Sequence, residues 1–316
     1  MRFLLVGGEG FIGKYVAATL RAMMHEVWSL DAGISSCDPI GQHSCFCRER
    51  QVIRGDARDF GTVLEAIADA KADRVINLAC IPVEKWCSEN PGAGMSHIID
   101  TTSAITRALQ ELCEEGDPDP RRYVHISSSM VYGDFPPGGA REDSPCNPLG
   151  PYGGAKLASE AITHGMCRRF NIPYVIVRPC AVYGPGDKNR RVVQTLLENA
   201  IDGKTLTVSG DTRIDFTWIE DAAHGIVLAA LSQVSGETFN IARGRARSLK
   251  DLVLAIQKCV PDLQVEYGDA PEHRPERGDM VITKARTMLN FCPQVDLEEG
   301  VARYYQWMKK QKEGSR

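Results

Sequence analysis

The sequence lacks a long hydrophobic run, a run of basic residues and a paired Cys-x-x-Cys motif. Its N-terminal apolar segment, Phe3-Leu4-Leu5-Val6, is too short for a signal-peptide core or a membrane span. The net charge is −4 at pH 7, and no basic stripe is present that could follow a phosphate backbone. We therefore expect a soluble cytoplasmic protein that binds neither membrane nor nucleic acid.

The cysteines give no sign of a disulfide framework. There are 11 of them, an odd number, and they are scattered along the chain, which favours free thiols in a reducing compartment. One dense group contains Cys37, His43, Cys45 and Cys47. Because this group lacks the paired spacing and second half-site of zinc sites, we expect a surface loop and no metal.

The order of apolar patterns predicts an α/β fold. Predicted strands lie at 2–6, 26–30, 51–53, 74–78, 122–126 and 174–177, and predicted helices at 11–24, 59–70, 95–113 and 152–170. This alternation is typical of a Rossmann-type doubly wound parallel sheet covered by helices. Beyond residue 180 the pattern loosens, with predicted helices at 190–202, 220–231, 248–258 and 297–309 and strands at 205–208 and 237–241. We expect a Rossmann domain over 1–180 and a smaller mixed α/β substrate lobe over 181–316.

A glycine-rich turn predicts a dinucleotide site. Gly7, Gly10 and Gly13 follow the first strand and open the first helix, where the backbone can approach a pyrophosphate. Asp31 ends the second strand, where its carboxylate would bind ribose hydroxyls and repel a 2′-phosphate. No Arg or Lys lies in 32–41, so the sequence predicts NAD rather than NADP. Asp56, after the third strand, is placed to reach the adenine.

Two patterns predict acid–base chemistry. Tyr152 and Lys156 are four apart on a predicted helix, so the ammonium can lie beside the phenol and lower its pKa toward that of a general base. Ser127, Ser128 and Ser129 end the strand 122–126, at the sheet edge where open α/β folds bind ligands. Taken alone, an exposed helix pair and a serine turn are the alternative interpretations.

Five motifs together carry a resemblance that spans nearly the whole chain. They are Gly7-Gly8-Glu9-Gly10-Phe11-Ile12-Gly13, Asn77-Leu78-Ala79-Cys80, Ser127 to Val131-Tyr132-Gly133, Tyr152-Gly153-Gly154-Ala155-Lys156, and Arg178-Pro179 leading to Tyr183-Gly184-Pro185-Gly186. Through them the chain resembles the NAD-dependent epimerase/dehydratase family, the extended short-chain dehydrogenases. The resemblance implies Ser128, Tyr152 and Lys156 as catalytic residues. The predicted cofactor contacts are Gly7, Gly10, Phe11, Ile12, Gly13, Asp31, Asp56, Ala57, Leu78, Ala79, Tyr152 and Lys156.

The resemblance also implies a reaction. Tyr152 would take a proton from a sugar hydroxyl while hydride passes to NAD. Dehydratases and decarboxylases of the family usually carry an acidic residue just after the catalytic hydroxyl, where this chain has Ser129 and Met130. We therefore expect a nucleotide-sugar epimerase acting at C4. The alternatives are a dehydratase, decarboxylase or oxidoreductase on the same scaffold, and a non-catalytic NAD-binding protein, against which the intact catalytic residues argue.

The substrate side departs from the family pattern. Ala181 and His97 stand where the family usually has Asn, and Ile214 stands where it usually has Arg. Arg213, Arg274 and Arg277 are candidates to bind a diphosphate, with solvated loop charge as the alternative. The predicted substrate contacts are Ser128, Ser129, Tyr152, Arg213 and Arg277. The resemblance further implies a homodimer, in which helices 95–113 and 152–170 pair with their copies.

Overall fold

The computed structural model describes residues 1–33, 51–80, 84–114, 121–269 and 275–314. Its elements, in chain order, are β1 (Arg2–Val6), α1 (Phe11–Ala22), β2 (Glu26–Asp31), β3 (Gln51–Arg54), α2 (Phe60–Asp69), β4 (Arg74–Asn77), α3 (Glu84–Glu89), α4 (Pro91–Glu114), β5 (Arg122–Ile126), α5 (Pro151–Arg169), β6 (Tyr174–Pro179), β7 (Val182–Tyr183), α6 (Val192–Ile201), β8 (Leu206–Ser209), β9 (Arg213–Ile214), β10 (Thr217–Trp218), α7 (Ile219–Leu231), β11 (Glu237–Ile241), β12 (Arg247–Ser248), α8 (Leu249–Gln257), β13 (Val265–Gly268), α9 (Thr283–Leu289) and α10 (Leu297–Gly314). Seven of the strands form the central parallel sheet, in the order β11-β6-β5-β4-β1-β2-β3.

Both faces of this sheet are buried, which explains the continuous apolar runs in its strands. In β1, Phe3 and Leu5 face a core that includes side chains of α1 and α7. Leu4 and Val6 point the other way, into a core that includes side chains of α2 and α4. The first strand therefore packs against two helical layers, as a doubly wound fold requires.

The remaining strands form small pairs. β7 pairs with β10 and β8 with β13, both parallel, while β9 pairs with β12 in the antiparallel sense. Helix α10 packs against α8 and α6. These elements make up most of the C-terminal part of the chain.

The predicted α/β fold with a doubly wound parallel sheet is confirmed. Strand β11 comes from the segment that we assigned to the substrate lobe, yet it joins the central sheet beside β6, with Phe239 opposite Val177. The division at residue 180 remains a prediction. The cysteine- and histidine-rich segment 37–47 lies outside the described residues.

Helix α4 starts earlier than the sequence predicts. It begins at Pro91, a residue suited to the first helical turn, and Gly94 lies within that turn. A Cβ at Gly94 would lie 2.8 Å from the Sγ of Cys87 in α3. The glycine therefore allows the two helices to approach closely, although it weakens the helical pattern in the sequence.

Within the described ranges, no group of three or more His, Cys, Asp or Glu side chains is arranged to hold a metal ion. The same part of the chain contains no helix that is long and apolar enough to cross a bilayer.

Candidate active site

A large cavity lies at the carboxyl edge of the central sheet, where β1, β2, β4, β5 and β6 end. Its volume is about 1280 Å³, above the roughly 300–1,000 Å³ typical of small-ligand pockets. Its wall contains all but one of the predicted site residues that the structure describes: Gly7, Gly10, Phe11, Ile12, Gly13, Asp31, Asp56, Ala57, Leu78, Ala79, Ser128, Ser129, Tyr152, Lys156 and Arg277. Arg213 is not on this wall, and Arg274 lies outside the described residues.

The glycine turn forms a close backbone cradle at one end of the cavity. Gly7 has φ +83°, and a Cβ at Gly13 would lie 2.5 Å from the Gly7 carbonyl oxygen. Gly10 precedes α1, and no side chain caps that helix. The first amides of α1 therefore remain available at the cavity, and their dipole favours a bound anion such as a pyrophosphate.

Two carboxylates lie on the cavity wall beside this cradle. Asp31 accepts hydrogen bonds from the backbone amides of Glu9 (3.1 Å) and Gly33 (3.2 Å), which fix its side chain at the end of β2. Asp56 pairs with Arg58 at 2.6 Å. Hydrogen bonds from Arg58 lower the pKa of Asp56 to about 2, so this carboxylate is charged at neutral pH. The glycine cradle and the Asp31 carboxylate fit a dinucleotide without a 2′-phosphate.

The tyrosine and lysine lie together at the start of α5. Lys156 is 3% exposed, and its Nζ donates to the Ile126 carbonyl oxygen at 2.8 Å, which ties the ammonium to the end of β5. Burial raises the pKa of the Tyr152 phenol, as does the neighbouring Cys80 thiol, while Arg191 and the nearby Ser128 side chain lower that pKa. The sequence predicts a lowered pKa for this phenol, and that prediction is wrong for the protein alone. In the protein alone, desolvation outweighs the nearby positive charge.

A buried network fixes this end of β5 against α5. Ser127 donates to Glu160, and Glu160 forms an ion pair with Arg178 at 2.7 Å in which both side chains are 7% exposed. Arg178 also donates to the Tyr132 hydroxyl at 2.9 Å. The carboxylate and the guanidinium therefore neutralise each other's charge and satisfy each other's hydrogen-bonding groups away from solvent. Ser127 belongs to this network and so supports the backbone next to Ser128.

The residues after Ser128 carry no acidic group. Ser129 is buried and lies near the Cys180 thiol, whose pKa it lowers. Met130 contacts the Arg277 guanidinium through its sulfur. Arg277 thereby lies on the cavity wall close to the predicted catalytic hydroxyl, where it can bind an anionic part of a substrate.

Arg213 is held away from the cavity by its own contacts. Its guanidinium donates to the Ala246 carbonyl oxygen at 2.9 Å and lies 3.8 Å from the Asp279 carboxylate. The adjacent Ile214 pairs with Arg247 in the β9–β12 ladder. The structure therefore brings Arg277, but not Arg213, to the other predicted substrate residues.

Several cavity residues were not predicted from the sequence. His97 lies on the wall, its Nδ1 is buried with no hydrogen-bond partner among the described residues, and burial lowers the pKa of its ring. Arg191 donates to the Val182 carbonyl oxygen at 2.8 Å and is near enough to Tyr152 to act on its pKa. Cys80 also lines the wall. The cluster of basic residues after the Gly184-Pro185-Gly186 loop is the signal that could have identified Arg191.

The sequence model of the NAD dependent epimerase/dehydratase family matches residues 3–242. The chain belongs to this family. The resemblance stated above and the cofactor predicted for it, NAD, are thereby confirmed.

Proteins with different activities are similar to this chain over nearly its whole length. It is 29% identical to a UDP-glucose 4-epimerase of Mycolicibacterium smegmatis, covering 98% of this chain and 99% of that protein. It is 28% identical to a dTDP-glucose 4,6-dehydratase of Streptomyces niveus, covering 98% and 93%. The structure of a Bacillus cereus UDP-glucuronic acid 4-epimerase, solved with UDP-glucuronic acid and NAD, matches with a TM-score of 0.87 at 27% identity, covering 98% of this chain and 100% of that one. These relatives share the family but catalyse different reactions. The reaction of this chain therefore has to be inferred from the residues of its cavity.

Proposed function

We propose that this protein is an NAD-dependent nucleotide-sugar epimerase that inverts the configuration at C4. The proposal rests mainly on one observation: Ser128, Tyr152 and Lys156 share a cavity wall with the dinucleotide cradle. The positions directly after Ser128 hold Ser129 and Met130, neither of which can exchange a proton as a carboxyl group does. This set of groups supports oxidation at one carbon followed by reduction of that same carbon.

In this mechanism Tyr152 is the base that takes the proton of the C4 hydroxyl. Ser128, which lies near Tyr152 and lowers the pKa of its phenol, orients that hydroxyl. Lys156 gives one N–H to the Ile126 carbonyl and keeps two further donors for hydroxyl groups of the bound ligands. The glycine cradle and Asp31 would hold NAD, which would supply the hydride acceptor for C4 and a positive charge that favours the ionised phenol. After the keto sugar turns to present its other face, the hydride would return from the reduced cofactor to C4, and Tyr152 returns the proton to the C4 oxygen.

A 4,6-dehydratase is the second candidate, and one carboxylate on the cavity wall favours it. Glu84 lines the cavity, and a Cβ at Gly150, two residues before Tyr152, would lie 3.5 Å from its Oε1. Glu84 accepts a hydrogen bond from Ser88 at 3.3 Å. If elimination is the true reaction, Glu84 is therefore the group best placed to supply the second acid and base.

The basic residues of the wall favour a substrate with several negative charges. Arg277 lies beside Met130, while Lys188, Arg190 and Arg191 follow the loop after β7. Two phosphates of a nucleotide diphosphate account for part of this charge. Arg191 lines the same cavity as Tyr152 and its charge lowers the pKa of that phenol, so we propose that it faces the sugar. We therefore propose an acidic nucleotide sugar, such as the UDP-glucuronic acid bound by the Bacillus cereus relative, as the preferred substrate.

The deciding experiment is incubation of the NAD-loaded protein with UDP-glucose, UDP-glucuronic acid and dTDP-glucose, followed by anion-exchange separation and proton NMR of the products. We expect a C4 epimer without net NADH, and faster conversion of the acidic sugar. The Tyr152→Phe variant, which keeps the ring and loses the hydroxyl, is the matched control and should be inactive. A 4-keto-6-deoxy product that disappears in Glu84→Gln would replace the epimerase proposal by the dehydratase.

We also propose the homodimer implied by the family, with α4 and α5 as its interface. These two helices pack against each other on one side of the sheet, and their outer faces would meet the copies in a partner subunit. Light scattering coupled to size exclusion measures the mass directly. A mass of about 34.8 kDa, that of one chain, would contradict this proposal.

A further inference from the structure

A second cavity lies at the opposite edge of the central sheet, where β5, β6 and β11 begin. Its volume is about 760 Å³. The side chains that matter there are those of Arg122, His164, Arg168, Tyr174 and Ser235. None of the described residues that line it is Asp or Glu, and none of them lines the cavity proposed as the active site.

Arg122 is a buried cation without an anionic partner in the described part of the chain. It begins β5 and is 3% exposed. Its Nη1 donates to the Val234 carbonyl oxygen, and no carboxylate among the described residues lies within ion-pair distance. Arg74 stands directly opposite it in the sheet register, and burial together with this second cation lowers the pKa of Arg122. A buried guanidinium without a counter-ion is energetically costly.

The other polar side chains of this cavity can donate hydrogen bonds to a ligand. Arg168 donates to His164 Nε2 at 3.3 Å, and because Arg has no acceptor, the imidazole must carry its proton on Nδ1. That Nδ1 then donates to the Tyr174 hydroxyl at 2.5 Å, which leaves the tyrosine's own hydrogen for another acceptor. Ser235 accepts from the Tyr174 amide at 3.2 Å, so its hydroxyl hydrogen is likewise available.

From this geometry we infer that the second cavity binds an anion of the phosphate class, held by Arg122 and Arg168 and by the hydroxyls of Tyr174 and Ser235. A phosphate oxygen accepts several hydrogen bonds at once, and guanidinium groups match its geometry. The same chemistry serves free phosphate and a phosphate monoester. Because this site lies at the other edge of the sheet, it binds independently of the sugar-nucleotide site.

The test is calorimetric titration of inorganic phosphate into the whole protein, saturated with NAD and UDP so that the first cavity is filled. A parallel titration uses glucose 1-phosphate, which distinguishes free phosphate from an ester. We expect one phosphate site in the wild type. Arg168→Ala should weaken it at least about tenfold, since a charge-assisted hydrogen bond is lost. Arg303→Ala, at an arginine that is 48% exposed and lines neither cavity, is the matched control and should leave it unchanged.

Arg122→Met removes the buried charge and should abolish phosphate binding. Should this variant fail to fold, Arg168→Ala still decides the matter, because Arg168 is exposed and its loss leaves the core intact. Two results would overturn the inference: no binding to the wild type at millimolar phosphate, or binding that Arg168→Ala leaves unchanged. Neither result bears on the epimerase proposal, which is tested by product analysis alone.

Discussion

The loss of the buried ion pair between Glu160 and Arg178 should strongly destabilise the protein. Arg178 donates from Nε to Glu160 Oε1 at 2.9 Å and from Nη2 to Oε2 at 2.7 Å. Both side chains are 7% exposed. In Glu160→Gln the shape is kept, but the amide NH₂ would face the Arg178 donors and the guanidinium would lose its counter-charge. We expect a loss of about 3–5 kcal/mol in the free energy of unfolding.

The effect is measurable by urea and thermal denaturation. For a chain of 316 residues, a loss of 3–5 kcal/mol corresponds to a fall of about 4–8 °C in Tm. The matched control is Glu237→Gln, which breaks the 2.6 Å pair with Lys284, whose side chains are 39% and 28% exposed. Because that pair is partly solvated, its loss should cost less than about 1 kcal/mol.

The double variant Glu160→Leu/Arg178→Met separates the charge effect from the packing effect. Since apolar residues of similar volume leave no uncompensated charge, much of the lost stability should return. If Glu160→Gln lowers the free energy of unfolding no more than Glu237→Gln does, the buried pair does not stabilise the protein as we expect. The catalytic activity should fall with the stability, because Ser127, adjacent to Ser128, donates to the same carboxylate.

Three further predictions concern the ligand cavity. Asp31→Asn removes the charge that repels a 2′-phosphate, so the ratio of NADP to NAD dissociation constants should fall by about tenfold, read by fluorescence titration. The Asp56 carboxyl should titrate near pH 2 by NMR, and its pKa should return toward 3.8 in Arg58→Ala. Because its pKa is lowered in the folded state, its contribution to stability is present above about pH 4 and is lost as the pH falls through about 2. Ala181 has φ +38°, a conformation that asparagine tolerates better, so Ala181→Asn should raise the free energy of unfolding by about 0.5 kcal/mol in urea melts. An unchanged ratio of NADP to NAD dissociation constants in Asp31→Asn would contradict the first prediction. An Asp56 midpoint near pH 4 in the wild type would contradict the second, and a lower free energy of unfolding in Ala181→Asn would contradict the third.

The cofactor end could be predicted from the sequence because its geometry is local. Gly7, Gly10 and Gly13 lie within one strand-turn-helix unit, whose backbone path follows from their spacing. Tyr152 and Lys156 likewise share one helix, so their proximity depends only on the helical repeat. These residues do lie on one cavity wall, although the contacts assigned to each remain predictions.

The substrate end could not be predicted in the same way because its geometry is non-local. Arg213 belongs to a two-residue strand whose position is set by pairing with the strand of Arg247 and by the Asp279 carboxylate. Neither partner is near it in sequence. Strand β11 shows the same difficulty on a larger scale: its apolar pattern predicts a strand, yet nothing in that pattern indicates that β6 is its neighbour.

Burial of the Tyr152 phenol connects the fold to the proposed chemistry. Desolvation raises the pKa of this group, which by itself would make it a poor base at neutral pH. The same low dielectric strengthens every charge that acts on the phenol, so the charge of Arg191 counts for more here than it would in water. The phenol should therefore ionise only when positive charge accumulates around it. On the proposed mechanism, proton removal from the sugar is thereby confined to the fully loaded cavity.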